Sequence, residues 1–163
     1  MTAPRPSILV REMRADELSM VLRWRNDPDV RRSMHTRHPI TESEHQTWFE
    51  RCRADPGRTL LLVERDGSAF GFVQFARTHT TGEAEWGFYV APGSPRGSGT
   101  LLGRAALHHA FVHMGLDCVR GEALDTNAAS IALHQRLGFA RCAADAPGVV
   151  RFELRVQHWR HDV

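Results

Sequence analysis

The stretch Phe88-Tyr-Val-Ala-Pro-Gly-Ser-Pro-Arg-Gly-Ser-Gly-Thr100 decides the fold of this chain of 163 residues. It leads from a short apolar strand, Phe88–Val90, into a loop that contains Gly97 and Gly99, and then into a helix. Two glycines let a ligand approach the backbone closely, and successive N–H groups at a helix N-terminus present positive potential. The stretch is therefore predicted to hold a pyrophosphate between a strand and a helix.

A second motif, Asn127-Ala-Ala-Ser-Ile-Ala-Leu-His-Gln-Arg-Leu-Gly-Phe139, follows further along the chain. Asn127 is a polar residue directly before a predicted helix, where its side chain can cap the free N–H groups. His134 lies further into that helix, and Gly138 is the residue type that commonly ends one. Together the two motifs are typical of an acyl-coenzyme A site.

The remaining pattern predicts one α/β domain, residues 1–163, with a mixed sheet and helices on both faces. Strands are predicted at Ser7–Met13, Thr59–Glu64, Ala69–Ala76, Ala84–Val90 and Cys118–Leu124, with two more in the tail. Helices are predicted at Ala15–Asn26, Asp29–Met34, Thr41–Cys52, Ser98–Met114 and Ala128–Leu137.

Composition argues against several classes of protein. A net charge of +2 is too mild for a dedicated nucleic-acid binder. No apolar run reaches the ~18 residues of a membrane span, and the N-terminus has no signal-peptide pattern, so a cytoplasmic location is expected. The three cysteines lack metal-ligand spacing, and the helical pair His109 and His113 lacks a third ligand, so no metal is expected.

The motif residues also resemble a known family. Arg96-Gly97-Ser98-Gly99-Thr100, followed by Asn127 and by Leu137-Gly138-Phe139, resembles the GNAT superfamily of acetyl-CoA-dependent N-acetyltransferases. That loop usually begins with Gln or Arg where this chain has Ser94, but its binding groups are backbone N–H groups. The resemblance implies the GNAT fold, which is a central mixed, mostly antiparallel sheet with helices on both faces and a splayed strand pair holding acyl-CoA.

The resemblance also implies a cofactor site made largely of backbone. In GNAT proteins the acetyl-pantetheine arm inserts between the splayed strands, so a backbone N–H of the Phe88–Val90 strand would meet the oxyanion. The residues implied to bind acetyl-CoA are Phe88, Val90, Arg96, Gly97, Ser98, Gly99, Thr100, Asn127 and Ser130.

A narrower resemblance is to the nucleotide-sugar N-acetyltransferases of pseudaminic acid biosynthesis. Matching residues span nearly the whole chain and include Leu22–Pro28, Trp48-Phe49, Gly87–Tyr89, Ser94–Gly99 and Gly121–Leu124. The implied acceptor is the 4-amino group of a UDP-linked 4-amino-4,6-dideoxy-N-acetyl-hexosamine.

In that family the N-terminal helices form the sugar-nucleotide side of the cleft. This implies that Arg25, Met34, His45 and Trp48 contact the acceptor, and His35 borders the same cleft. Arginine suits a phosphate, and an aromatic face suits a base or a sugar ring. The alternatives are that Met34 and Trp48 are core residues, that Arg25 caps a helix and that His35 is a plain loop residue.

Acetyl transfer to an amine needs a base, an oxyanion site and a proton for the leaving thiolate. Glu122 matches an acidic position of the resembled family and is the candidate base. His134 stands where many GNAT enzymes place a proton-donating tyrosine, and an imidazolium of pKa ~6.5 can protonate a thiolate whose conjugate acid lies near ~8.5. The alternatives are a structural ion pair for Glu122 and a hydrogen-bonded His134 without a proton role.

Two other functions are compatible with the sequence. One is a GNAT enzyme for another amine, such as a protein N-terminus, an antibiotic or an amino acid, since Ser130–His134 also resembles the phosphinothricin acetyltransferases. The other is a non-catalytic CoA-binding sensor module. The tail segment Gln157–Arg160 is a candidate contact in a homodimer, and the alternative is that its Trp159 caps the protein's own core.

Overall fold

The computed structural model describes residues 2–161. Within this range seven strands form one sheet: β1 Ile8–Glu12, β2 Arg58–Arg65, β3 Ser68–Arg77, β4 Glu83–Val90, β5 Cys118–Leu124, β6 Ala140–Cys142 and β7 Val149–Arg155. The α-helices are α1 Leu18–Asn26, α2 Pro28–Arg31, α3 Glu42–Ala54, α4 Ser98–His108 and α5 Ala128–Arg136.

The sheet has the strand order β1-β2-β3-β4-β5-β7-β6. Neighbouring strands are antiparallel except for β4 and β5, which run parallel and are connected through α4. This confirms the predicted mixed and mostly antiparallel sheet with helices packed on it. Among residues 2–161, no helix is both long and apolar enough to cross a bilayer.

Both faces of the central strands are buried, because each face is covered by different helices. On β2, Leu61 and Val63 point to the core shared with α4, whereas Leu60 and Leu62 point to the core shared with α1 and α3. Successive residues of a strand face opposite sides of a sheet, so a strand that is buried on both faces needs a continuous run of apolar residues. The sheet therefore separates an α4 face from an α1/α3 face.

Helix boundaries differ from the predictions where the chain switches to another helical form. The helix predicted over Ser98–Met114 is α-helical to His108 and continues as a π-helix over His109–His113. The helix predicted over Asp29–Met34 is shorter, Pro28–Arg31, with the Asp27 side chain accepting a hydrogen bond from the Asp29 N–H at its start. The predicted elements are otherwise present.

Up to residue 161, the tail packs on the molecule's own core. After β7 the chain forms a short 3-10 helix, Val156–His158, and Trp159 then packs on Phe111 with ring centroids 5.0 Å apart. Trp159 is half-buried by these intramolecular contacts. The tail therefore closes the end of the α4 face, which was one of the two roles open to it.

Candidate functional site

The parallel strands β4 and β5 separate partway along their length. They pair only at Glu83 with Cys118, Ala84 with Val119 and Glu85 with Arg120. Beyond these pairs both strands continue without pairing to each other. A cleft of about 990 Å³ opens at this point and extends from the start of α4 to the helices α1 and α3. This is the splayed strand pair that the sequence resemblance implies.

The glycine loop forms one end of the cleft. Gly97 has φ of 91°, a left-handed conformation that favours glycine, and it directly precedes α4. Gly99 and Thr100 follow in the first turn of α4, where backbone N–H groups have no intrahelical acceptor. Gly97, Gly99 and Thr100 all line the cleft. Their geometry fits the binding of a pyrophosphate by backbone donors and the helix N-terminus.

Two residues of the glycine loop that are predicted to bind acetyl-CoA, Arg96 and Ser98, do not line the cleft. Ser98 is buried, and both its backbone N–H and its hydroxyl bond to the Pro95 carbonyl, at 3.1 Å and 2.6 Å. The Ser98 hydroxyl therefore stabilises the turn before α4. Arg96 is exposed and does not line the cleft. The ligand contacts predicted for Ser98 and Arg96 stay predictions.

The start of α5 faces the same end of the cleft. Asn127 Oδ1 accepts a hydrogen bond of 3.1 Å from the Ser130 N–H, so Asn127 is the N-cap of α5. Both residues line the cleft. Arg136, further along α5, donates to Thr100 Oγ1 at 2.9 Å and places a positive charge beside the glycine loop. Sequence reasoning missed Arg136, although it directly precedes the Leu137-Gly138-Phe139 motif.

His134 is buried behind the cleft wall, with only 1% of its surface exposed. Trp86 Nε1–H donates to Nε2 at 3.1 Å, so Nδ1 carries the proton and donates to the Ser130 carbonyl at 2.8 Å. The ring stacks on Phe152 at 4.6 Å. A Cβ at Gly121 would lie 2.5 Å from Nε2, so this packing requires glycine there.

The surroundings of His134 favour the neutral imidazole. Burial lowers the pKa of His134 below its usual value, and the hydrogen bond to the Ser130 carbonyl raises it by less. Both ring nitrogens already have protein partners. This geometry supports a role in fixing α5 to β4, and proton donation by His134 stays a prediction.

Glu122 lies on β5 beside the opening between the strands and is part of a charged cluster. Its Oε2 accepts from Arg151 Nη1 at 2.9 Å, and its Oε1 lies 2.9 Å from His35 Nε2. Arg151 also donates to Glu85 Oε1 at 2.6 Å. The His35 side chain is 67% exposed, whereas that of Arg151 is 17% exposed. One oxygen of Glu122 is thus held from within the sheet and the other by a side chain that solvent reaches.

Arg25 lies at the opposite end of the cleft. Its Nη2 donates to the Thr36 carbonyl at 3.0 Å, while Nη1 is buried and has no hydrogen-bond partner within residues 2–161. Burial lowers the pKa of the Arg25 guanidinium, the nearby Tyr89 raises it and Arg31 lowers it further. A guanidinium with a buried and unpaired donor atom is a place where an anionic group would be stabilised.

Aromatic rings line the cleft next to Arg25. His45 stacks on Trp48 with ring centroids 5.0 Å apart and an interplanar angle of 20°. Trp48 meets Phe72 edge-on at 5.9 Å, and Phe72 contacts Tyr89 at 5.0 Å. Burial and the charge of Arg25 lower the pKa of His45, which favours the neutral ring. Trp48 both packs on the α1/α3 core and faces the cleft, so the two roles considered for it coincide.

The structure brings most of the predicted site residues together along one cleft. Those that line it are Glu122, Phe88, Val90, Gly97, Gly99, Thr100, Asn127, Ser130, Arg25, Met34, His35, His45 and Trp48. The predicted residues Arg96, Ser98 and His134 do not line it. Further cleft residues that sequence reasoning missed include Gln74, Glu85, Tyr89 and Arg136.

Known proteins share this architecture. The acetyltransferase (GNAT) domain family matches residues 7–140. Acetyltransferase PseH of Campylobacter jejuni is 26% identical over 128 residues, which cover 78% of this chain and 80% of that protein. The match to PseH confirms the narrower resemblance seen in the sequence.

Two solved structures are similar in fold. The crystal structure of Campylobacter jejuni N-acetyltransferase PseH in complex with acetyl coenzyme A has a TM-score of 0.73 at 19% identity, covering 92% of this chain and 99% of that one. Spermidine N-acetyltransferase from Vibrio cholerae, in complex with CoA and spermine, has a TM-score of 0.81 at 16% identity, covering 93% and 96%.

Proposed function

Because the chain belongs to the GNAT acetyltransferase family and is an acetyltransferase, we propose that its acceptor is a UDP-linked 4-amino-4,6-dideoxy-N-acetyl-hexosamine. The acetyl group of acetyl-CoA would pass to the 4-amino group of that sugar. The observation that carries the proposal is the continuous cleft, which joins a backbone anion site at Gly97 to a second, side-chain anion site at Arg25.

The acceptor half of the cleft has the chemistry that a nucleotide sugar would need. The free Nη1 of Arg25 suits a phosphate oxygen, because charge-assisted hydrogen bonds to phosphate are among the stronger ones in proteins. The stacked rings of His45 and Trp48 offer an apolar face to a base or a sugar ring. Similarity to PseH supports the same class of acceptor.

Glu122 is the proposed base. The amine nitrogen forms a bond to the thioester carbonyl carbon, and a proton of that amine passes to a carboxylate oxygen of Glu122, directly or through water. Oε1 is the available oxygen, because its partner His35 is exposed and can give way to the amine. Arg151 holds Oε2 and keeps the carboxylate in place during the exchange.

The oxyanion is proposed to form beside the unpaired part of β4. In a continuous parallel pair, some backbone N–H groups of Phe88–Val90 would bond to β5. They have no such partner here, because β5 has separated from β4. A fixed N–H donor at a developing negative charge stabilises the transition state. When the C–S bond breaks, the thiolate leaves toward the glycine loop, and its proton comes either from water or from His134 in the imidazolium form.

A thiol-release assay tests the proposed acceptor. The protein is incubated with acetyl-CoA and one amine in each reaction, and the release of free CoA is measured. The amines are the UDP-4-amino sugar, spermidine, a peptide amine, an aminoglycoside and phosphinothricin. We expect turnover with the UDP-4-amino sugar at a kcat/KM well above that for the others. Turnover with one of the other amines alone would contradict the acceptor, and acetyl-CoA binding without any turnover would favour a sensor role.

A further inference from the structure

Gln74 lies on β3, on the face that also carries Phe72 and in the acceptor half of the cleft. Its side-chain oxygen Oε1 is buried and has no hydrogen-bond partner within residues 2–161. Buried side-chain polar atoms in folded proteins are paired in the large majority of cases. An apolar side chain of the same length would fill this position without the cost of an unpaired oxygen. The amide of Gln74 is therefore better explained by a ligand than by the fold.

The strand opposite Gln74 makes room for its amide. Gln74 pairs with Gly87 of β4, and a Cβ at Gly87 would lie 3.2 Å from Gln74 Nε2 and 3.6 Å from its Cγ. Gly87 does not adopt a positive φ, so its backbone conformation does not require glycine. The missing side chain instead lets the amide lie over β4, on the strand that borders the opening toward β5.

The charges around Gln74 define what kind of group it can meet. Glu85 and Glu122 line the same part of the cleft, and both carboxylates are oriented by Arg151. Together with the Gln74 oxygen, these carboxylates make the middle of the cleft rich in hydrogen-bond acceptors, whereas Arg25, further into the acceptor half, presents a cationic donor. A molecule that fits carries its anionic group toward Arg25 and its N–H or O–H donors toward β4 and β5.

We infer that Gln74 accepts a hydrogen bond from an N–H or O–H of the acceptor molecule, next to the amine that attacks the thioester. Gln74 is thus a specificity-determining residue of the acceptor site. This inference rests on the proposed acetyl transfer to an amine, and it adds which side chain orients that amine. A site built to bond a donor discriminates strongly against analogues that lack it, since its own polar group is then left unpaired.

The test compares Gln74→Met, which keeps length and removes the amide, with the control Gln157→Met on the exposed 3-10 helix. The wild-type protein is first assayed with the UDP-4-amino sugar. In Gln74→Met we expect kcat/KM for the acceptor to fall about 10-fold, while the KM for acetyl-CoA is unchanged. Without substrates its melting temperature should rise by about 2–4 °C, because the unpaired oxygen is gone. The control should match the wild type in both measurements.

The outcomes separate this inference from the proposed acceptor. An unchanged kcat/KM, or a lower melting temperature for Gln74→Met, overturns the role of Gln74 even if the UDP-4-amino sugar is acetylated. If the wild type acetylates a different amine, the proposed acceptor is contradicted. The wild type and Gln74→Met are then compared with that amine as the acceptor. If no amine is acetylated, the role of Gln74 is judged from the melting temperature alone. A lower melting temperature for Gln74→Met than for the wild type would then show that the amide stabilises the fold, which overturns the inference.

Discussion

The two ends of the cleft are built in different ways. The end at α4 uses backbone: Gly97 in a left-handed conformation, the first turn of the helix and the Asn127 cap of α5. The end at α1 and α3 uses side chains, among them Arg25, which keeps a buried donor without a partner in residues 2–161. Backbone donors suit a ligand that a whole family shares, and individual side chains suit one that differs between members.

This difference has an energetic counterpart. At the α4 end the polar groups that shape the loop bond to each other, as Ser98 does to Pro95. At the acceptor end, the Arg25 donor and the Gln74 acceptor are buried without partners within the described chain, which lowers the stability of the free protein. The acceptor end is therefore expected to lose more function and less stability on mutation than the α4 end.

The largest effect is expected where the two ends meet, at Glu122. Glu122→Gln removes the base, so kcat should fall roughly 10²- to 10⁴-fold with acetyl-CoA affinity unchanged. Steady-state assays and calorimetric titration of acetyl-CoA measure the two quantities. Glu153→Gln, another strand carboxylate paired with an arginine, at 3.3 Å from Arg120, is the matched control and should keep full activity. A kcat within threefold of wild type in Glu122→Gln, about 0.6 kcal/mol, would remove Glu122 as the base.

The next effect isolates the acceptor end. Arg25→Met keeps the length of the side chain and removes its charge, so the KM for an anionic acceptor should rise roughly 10- to 100-fold. The KM for acetyl-CoA should not change, because Arg25 lies at the opposite end of the cleft. Arg23→Met, on the same helix and outside the cleft, is the control. Equal KM values in Arg25→Met and Arg23→Met would show that Arg25 does not meet the acceptor.

The α4 end is tested at its glycine. Gly97→Ala places a Cβ on a residue with φ of 91°, so acetyl-CoA affinity should fall about 10-fold as the loop leaves its left-handed conformation. Gly148→Ala introduces the same strain at φ of 80° in a turn away from the cleft. Both variants should lose stability, but only Gly97→Ala should bind acetyl-CoA more weakly in calorimetry. Equal affinity in the two variants would contradict the loop assignment.

The smallest effect concerns His134 and pH. Folding lowers the pKa of His134, so this histidine binds a proton more readily in the unfolded chain than in the folded one. The contribution of His134 to the free energy of unfolding is therefore complete above pH ~6.5 and is lost as the pH falls below that value. When the pH is lowered from 7 to 5, the melting temperature of the wild type should therefore fall by about 2–4 °C more than that of His134→Gln. His79→Gln, at an exposed histidine, should keep the wild-type slope.

The same His134 variant also tests the proton-donor role. If His134 only positions α5, kcat in His134→Gln should follow the loss of folded protein at each pH. A fall of roughly 100-fold in kcat at pH 7, with the protein still folded, would instead support proton donation.

Much of the fold could be predicted from the sequence because its signals are local. Asp66-Gly67 marks the β2–β3 turn, and both residues have positive φ. Thr41 opens α3 with a capping box to Glu44, and Gly138 ends α5 with φ of 94°. Apolar runs between such signals leave few alternatives, so the strands and helices occur in the predicted order, with differences at some helix boundaries. The glycine loop was predictable for the same reason, since its chemistry is contained in consecutive residues.

The rest depends on contacts between distant residues. Trp86 and His134, which share a hydrogen bond, are 48 positions apart, and no local pattern shows that His134 is buried. Glu122 and Arg151 are 29 positions apart, and their pairing follows from the register of β5 and β7. Gln74 is the one polar residue in the apolar run Ala69–Ala76 of β3, and its unpaired oxygen becomes evident only when β3, β4 and the helices are assembled.

The early separation of β4 and β5 also affects how the protein avoids aggregation. Strand edges with free N–H and C=O groups are templates onto which other chains can add, and proteins usually protect them with charges, bulges or coverage. Here two such edges lie within the molecule, facing each other after only three residue pairs. The sheet thus keeps unpaired backbone available for a ligand while its position between neighbouring strands shields that backbone from a second protein.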